Sequence, residues 1–163
     1  MLCGGYGKRA RQIDNKLPKV LFTINKKPFL YWILKNLEIK GIKKVILCTG
    51  YKSNFIKKYI KKNKSNFKIK ISISEENPKK LKGTGGAIKK IYNKLDPNFY
   101  VMYGDTFLKL KLQQLKEIFL MKKKPILMTI IKNKSKYHKN NISIHKKNLI
   151  YDKFITQKMD YLD

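Results

Sequence analysis

Leu2-Cys3-Gly4-Gly5-Tyr6-Gly7-Lys8-Arg9-Ala10-Arg11 opens the chain and holds both arginines of a sequence that carries 39 lysines and arginines in 163 residues. Lysine supplies diffuse positive charge, whereas the guanidinium of arginine is a planar fork that matches phosphate oxygens. Glycines beside it let backbone N–H groups close on an anion. The stretch therefore predicts a phosphate-binding loop after a short first strand, residues 1–3, with a long polar loop running on to Lys19. The residues behind the glycines set two familiar phosphate loops aside. Gly5-x-Gly7-x-x-Ala10 has the spacing of a dinucleotide fingerprint, but that fingerprint needs an apolar helix directly behind the glycines and an acidic residue ending the second strand. Here the loop stays charged as far as Pro18, and the strand from Val45 ends in Thr49-Gly50-Tyr51. No Gly-x-x-x-x-Gly-Lys-Ser/Thr occurs, so a P-loop is excluded.

Outward from this loop, short apolar runs alternate with helical periodicity. Pro28 suits the first turn of a helix whose Phe29, Ile33 and Leu37 share one face and which Gly41 ends. Val45-Ile46-Leu47-Cys48 is a continuous apolar run of the kind found in central parallel strands, and Ser53 is placed to cap a helix reaching about Lys62. Residues 68–74 alternate Lys and Ser with Ile, as a strand with one wet face does. Residues 86–95 read as a helix with Ala87, Ile88, Ile91 and Leu95 inward, and residues 99–103 as the next buried strand, running into Gly104-Asp105. A helix over residues 112–121, a strand over 126–131 and two short strands around 142–144 and 149–153 complete the pattern. Repeated βα units predict an α/β fold, a Rossmann-like three-layer α/β/α sandwich with a mostly parallel central sheet. Such sheets bind ligands beyond the carboxyl ends of their strands, where Gly4-Gly5 and Gly104-Asp105 both fall.

Composition narrows the function classes. A chain of 163 residues that is 42% hydrophobic suits one compact domain with a substantial core. The net charge of +29 raises nucleic acid or an anionic membrane as a partner. The excess is lysine, however, and it travels with Ile, Asn, Tyr and Phe, all of which have A/T-rich codons. The lysines form neither a basic tail nor an aromatic-interleaved RNA motif, so no specific nucleic acid is expected. Cys3 and Cys48 lie in apolar surroundings without CxxC spacing and read as reduced core thiols. His138 and His145 fit no zinc spacing, and no structural metal is expected. The longest apolar run, residues 29–34, is far shorter than a membrane span, and the first residues lack the apolar core of a signal peptide. A cytoplasmic protein without a membrane partner is the expectation.

The loop closed by Leu17-Pro18-Lys19 resembles the signature of sugar-phosphate nucleotidyltransferases, in which Gly-Gly-x-Gly-x-Arg is followed by a Pro-Lys pair. Gly83-Thr84-Gly85-Gly86-Ala87, Gly104-Asp105 and Asp152-Lys153 follow in the family's order, and the likeness is nearest to mannose- or heptose-1-phosphate guanylyltransferases. The resemblance implies transfer of NMP from an NTP, GTP favoured, to a sugar 1-phosphate. Pyrophosphate would leave, and an NDP-sugar for cell-surface polysaccharide would form. It further implies that Gly4, Gly5 and Gly7 wrap the nucleotide phosphates, with Leu2 and Lys8 completing that set. Arg9 would stabilise charge on the α-phosphate and the leaving pyrophosphate, and Lys19 would bind a phosphate from the other side. Gly83, Thr84 and Gly85 would lie against base and ribose, with Glu75 or Glu76 as the base-reading candidate. Asp105 would hold Mg²⁺, and Asp152 and Lys153 would face the sugar phosphate. In-line attack joins two anions, so positioning and charge neutralisation carry such a reaction.

The chain departs from the family pattern in places. Lys8 stands where Thr or Ser is common, and Lys136-Tyr137-His138 stands where Arg-Tyr-Gly is frequent. Relatives carry more apolar residues before the position of Leu2 and continue beyond that of Asp163. The expectation is a single nucleotidyltransferase domain over residues 1–163, shortened at its N-terminus and incomplete at its C-terminus, with homo-oligomerisation open. Two other functions stay open as well. One is a non-catalytic nucleotide-binding or regulatory relative; the other is a basic nucleic-acid-binding protein whose binding would be salt-sensitive.

Overall fold

A computed structural model of the chain describes residues 1–7, 16–132, 142–145, 148–151 and 161–162. Two units divide the chain, Met1–Leu110 and Lys111–Asp163. In the first, Lys19–Leu21 is a 3₁₀ turn that buries Val20 and Leu21. Thr23–Ile24 (β1) and Lys27–Pro28 (β2) then pair antiparallel. Asn25 and Lys26 between them both take positive φ, 48° and 61°, the turn whose twist matches that of a two-stranded hairpin. Phe29–Ile39 (α1) comes next and buries Leu30, Ile33, Leu34 and Leu37, each such side chain contributing about 1.5–3 kcal/mol. Gly41 takes φ 79° just past the helix, where a residue with a Cβ would be strained.

Lys44–Thr49 (β3) and Lys70–Glu75 (β4) run parallel, in register from Lys44 opposite Lys70 to Thr49 opposite Glu75. Ser53–Lys62 (α2) lies between them in sequence and buries Ile56 and Ile60. Val45 to Thr49 are all buried, so both faces of β3 are covered, as a continuous apolar run requires. Gly83–Lys90 (α3) covers one face: Ala87, with Ile91 just beyond the helix, packs on Ile46 and Cys48, and Leu2 and Leu95 join the cluster.

Residues 1–3 complete the sheet. The Cys3 N–H donates to the Cys48 carbonyl (2.7 Å), and the Cys48 N–H donates to the Met1 carbonyl (2.8 Å). On the other edge, the Leu2 N–H donates to Met102 O (2.9 Å), and the Gly104 N–H donates to Leu2 O (2.8 Å). Leu2 thus bridges Cys48 and Tyr103, both in parallel, and the spatial order is β4, β3, residues 1–3, residue 103.

The structure differs from expectation at several places. Residues 99–103 are not a buried strand. Only Tyr103 bridges Leu2, and Phe99, Tyr100, Val101 and Tyr103 stand 45–48% exposed. A three-residue neighbour offers one short edge, and among the described residues nothing pairs on the far side. Ser53 does not cap α2: its hydroxyl is buried 2.8 Å from Thr49 Oγ1, while Lys52, at φ 54°, holds the cap position without a side-chain bond. The helix expected over 86–95 starts three residues earlier, at Gly83, and passes into a 3₁₀ turn at Tyr92–Lys94.

The second unit holds Leu112–Lys122 (α4), Ile131–Lys132 (β5), Ile142–His145 (β6), Asn148–Tyr151 (β7) and Tyr161–Leu162 (β8). Its strands form an antiparallel sheet in the order β5-β8-β6-β7. The strand expected over 126–131 shrinks to Ile131–Lys132, and Ile126 is 79% exposed. Residues 126–130 pair with no strand among the described residues, and an apolar run without a partner edge stays irregular. No helix among the described residues is long and apolar enough to cross a membrane.

Candidate active site

Strand order reverses at residues 1–3: β3, the next long strand, lies on one side, and Tyr103 lies on the other. Open α/β sheets take ligands in the crevice beyond the carboxyl ends at such a point. Gly4 and Gly104, each leaving one of the two adjoining strands, open onto it. Gly4 is wedged against β3's exit, since a Cβ there would lie 3.3 Å from Gly50 N. Gly5 has open space around it, and Gly7 takes φ +57°, which favours glycine. Lys8, Arg9 and Arg11 lie outside the described residues, as do Asp152 and Lys153.

Lys19 enters the crevice because Pro18, Val20 and Leu21 around it are buried and fix the turn. Gly104 brings in the second group. A Cβ at Gly104 would meet Cys3 Sγ at 2.5 Å and Val20 Cγ1 at 3.0 Å, so only glycine lets this strand end approach so closely. Asp105 comes directly after it, and Lys19 Nζ donates to its Oδ2 at 2.9 Å. Both side chains are about half exposed, 48% and 42%. A cation and a carboxylate 86 residues apart therefore meet at the switch point.

The third candidate segment starts α3. Gly83 takes φ +71°, and Gly83, Thr84 and Gly85 are exposed. Of the two acidic residues ahead of it, Glu75 hydrogen-bonds Lys57 of α2, and that bond holds its carboxyl below the usual carboxylate range. Glu76 is buried, and its Oε1 has no hydrogen-bond partner. Tyr6, which the sequence did not single out, donates its hydroxyl to the Pro78 carbonyl and sets its ring 5.6 Å from that of Tyr51. It ties the glycine loop to the segment that comes after β4. Its signal in the sequence was an aromatic side chain among glycines. Burial pushes the Cys3 thiol up to about 12 and raises that of Cys48 as well. Both stay protonated at neutral pH and supply no nucleophile.

A known family accounts for this arrangement. The family model for nucleotidyl transferases matches residues 1–141. The chain belongs to the nucleotidyl transferase family. Among curated members of similar sequence, the D-glycero-alpha-D-manno-heptose 1-phosphate guanylyltransferase of Campylobacter jejuni is 44% identical over 116 residues, 71% of this chain and 51% of that protein. The enzyme of the same name from Aneurinibacillus thermoaerophilus is 40% identical over 118 residues, 72% of this chain and 50% of its own. The mannose-1-phosphate guanyltransferase of Aspergillus oryzae is 26% identical across 99% of this chain and 45% of its own. The chain thus spans about half the length of the curated relatives it matches. The crystal structure of HddC from Yersinia pseudotuberculosis superposes with a TM-score of 0.77 at 26% identity, covering 99% of this chain and 71% of that one. HddC complexed with GMP-PN gives a TM-score of 0.76. The family's α/β fold, with its parallel sheet and flanking helices, is the one the sequence predicted.

Proposed function

We propose that this chain takes part in nucleotidyl transfer from an NTP, with GTP favoured, to a sugar 1-phosphate. A phosphate oxygen of the sugar 1-phosphate attacks the α-phosphorus of the NTP, the α–β phosphoanhydride bond breaks, and pyrophosphate leaves. The product is an NDP-sugar for cell-surface polysaccharide. The observation that carries the proposal is the Lys19–Asp105 pair, held at the switch point between the glycine loop and the end of the neighbouring strand. The guanylyltransferase names of the relatives support GTP and a sugar 1-phosphate as the substrate classes.

In this reading, backbone N–H groups of Gly4, Gly5 and Gly7 bind phosphate oxygens, with Leu2 below them and Lys8 and Arg9 completing the loop. Arg9 neutralises charge on the α-phosphate and pyrophosphate, and Lys19 binds a phosphate from the opposite side. Gly83, Thr84 and Gly85 lie along the nucleoside, while Asp152 and Lys153 face the sugar phosphate. Among the described residues no cluster of three or more His, Cys, Asp or Glu could cage a metal alone. Mg²⁺ commonly takes one or two carboxylates and completes its shell with substrate phosphates. The half-exposed Asp105 fits that role, because its present partner is a surface ion pair worth about 0–1 kcal/mol and is easily exchanged. When bound, the ion would neutralise phosphate charge. An NTP donor makes the cytoplasm the setting of the reaction.

The deciding assay mixes the protein with Mg²⁺, each NTP and a panel of sugar 1-phosphates and follows pyrophosphate release. Turnover with GTP and a heptose or mannose 1-phosphate, abolished by Arg9→Ala, is expected. No turnover with any pair, together with nucleotide binding indifferent to Arg9→Ala, would sink the proposal.

A further inference from the structure

Between Gly4 and Gly7 the loop carries one bulky side chain, that of Tyr6. Gly4 is still held by the sheet, because its carbonyl accepts from the Tyr51 N–H at 3.3 Å. Beyond Gly4 the backbone has little to rest on. Among the described residues, a Cβ at Gly5 would meet nothing within 4 Å, and one at Gly7 would meet the Lys19 Cβ at 3.8 Å. Glycine loses more conformational freedom on ordering than any other residue. A loop of this composition is set in shape either by the phosphates it binds, at a cost to their affinity, or beforehand by the protein.

Tyr6 is placed to do the second. Its hydroxyl donates to the Pro78 carbonyl, and its ring lies 5.6 Å from that of Tyr51, tilted by 47°. The Pro78 anchor is itself held on both sides. The Glu76 N–H donates to Thr49 O at 2.8 Å, which ties the residues ahead of Pro78 to the end of β3. Asn77 closes a turn around Pro78: its carbonyl accepts from the Lys80 N–H at 3.0 Å, and its Oδ1 accepts from the Lys79 N–H at 2.9 Å. Leu81 then lies against Gly50, where a Cβ would come 2.5 Å from Leu81 Cδ2. The pyrrolidine ring fixes φ of Pro78 within this turn. Tyr51, the second anchor, directly follows Gly50 and holds Gly4 through its own N–H.

Resting on the nucleotide-binding reading above, we propose that Tyr6 is a positioning residue that clamps the glycine loop in the shape that receives phosphates before any ligand arrives. Tyr6 touches no reacting atom. Without the clamp the same N–H groups still meet the same phosphate oxygens, so ground state and transition state weaken together. Affinity falls and turnover at saturation does not. The effect is blind to the base, because it acts through the phosphate cradle. It is also separate from the pull of a net charge of +29 on any polyphosphate, which Tyr6→Phe leaves unchanged.

The test compares the wild-type chain with Tyr6→Phe, which keeps the ring and loses the hydroxyl, and with Tyr6→Leu, which loses both anchors. Equilibrium binding of GTP and of inorganic pyrophosphate, each with Mg²⁺, is measured at about 150 mM salt, where exposed charges are screened beyond roughly 8 Å. Tyr6 is 37% exposed, so both variants should keep the core, and urea unfolding followed by Trp32 fluorescence checks that they do. Tyr6→Phe should weaken GTP about threefold to tenfold, the size of one net hydrogen bond, and pyrophosphate by the same factor. Tyr6→Leu should weaken both by about tenfold to 100-fold, since the ring contact goes as well. In the pyrophosphate-release assay, KM for GTP should rise by a similar factor while kcat stays within about twofold of the wild type. Unchanged affinities in Tyr6→Phe overturn the inference. A loss of GTP affinity without a loss of pyrophosphate affinity overturns it too, because Tyr6 would then act on the nucleoside, and so does a fall in kcat at unchanged KM. In each of these cases the wild type still binds nucleotide, which separates this failure from that of the parent reading; a wild-type chain that binds neither ligand overturns both.

Discussion

Replacing Gly104 with alanine probes the contact that sets Asp105 against Lys19. The added Cβ would lie 2.5 Å from Cys3 Sγ, 3.0 Å from Val20 Cγ1 and 3.1 Å from Leu2 O. Ordinary carbon contacts fall near 3.5–4.0 Å, so the sulfur is about 1 Å too close. The backbone on both strands is pinned, because the Cys3 N–H is bonded to Cys48 O at 2.7 Å and Leu2 O accepts from the Gly104 N–H itself. Strain of this kind costs about 1–3 kcal/mol, and with the backbone pinned on both strands we expect a value near the upper end. Cys3→Ala alone should cost about 1 kcal/mol. It also removes the sulfur that the new methyl would strike, so Gly104→Ala/Cys3→Ala should be at least about 1 kcal/mol more stable than the two losses added together. Urea unfolding followed by fluorescence measures all four corners of the cycle, since the chain has a single tryptophan, Trp32, on α1 in the same unit. Additivity within about 0.5 kcal/mol would refute the contact, and with it the explanation of why glycine stands before Asp105.

The same geometry sets two further outcomes. Burial pushes Cys3 up to about 12 from an ordinary value of 9.0, so between those pH values the native state keeps a proton that the unfolded chain has lost. This contribution is full below pH 9 and falls by up to about 1.4 kcal/mol per pH unit above it. Urea midpoints should drop more steeply in the wild type than in Cys3→Ala between pH 9 and 11; parallel curves would refute the assignment. Lys19→Met should change stability by no more than about 1 kcal/mol, because its ion pair is half exposed. Pyrophosphate release should nevertheless fall by about 100-fold or more, as when one preorganised electrostatic group is removed from an active site. Undiminished turnover would take Lys19 out of the site.

Elements governed by local pattern were legible in the chain itself. The i, i+3, i+4 spacing of Leu30, Ile33, Leu34 and Leu37 specifies a helix with one buried face, and the unbroken Val45 to Cys48 run specifies a strand covered on both sides. The β1–β2 hairpin carries no local signal, because its strands are two residues each and its turn, Asn25-Lys26, reaches positive φ without glycine. Residues 99–103 have the composition of a buried strand, but composition does not say whether a neighbouring edge exists to cover it.

What the sequence determined by itself was the set of groups and their family order: a glycine loop with its arginines, Pro18-Lys19, the Gly83 segment and Gly104-Asp105. Those residue types suit phosphate chemistry wherever they sit, and backbone periodicity alone implies an α/β alternation. Only the tertiary structure decided which of them meet. Lys19 and Asp105 become neighbours because strand order reverses around residues 1–3 and because Gly104 has no Cβ to hold the strands apart. Glu75 and Glu76 are adjacent in the chain and equivalent in chemistry, yet the pleat sends one to Lys57 on the surface and buries the other with its Oε1 lacking a donor. Register and strand order are long-range properties, set by packing between segments distant in sequence, and no local pattern encodes them.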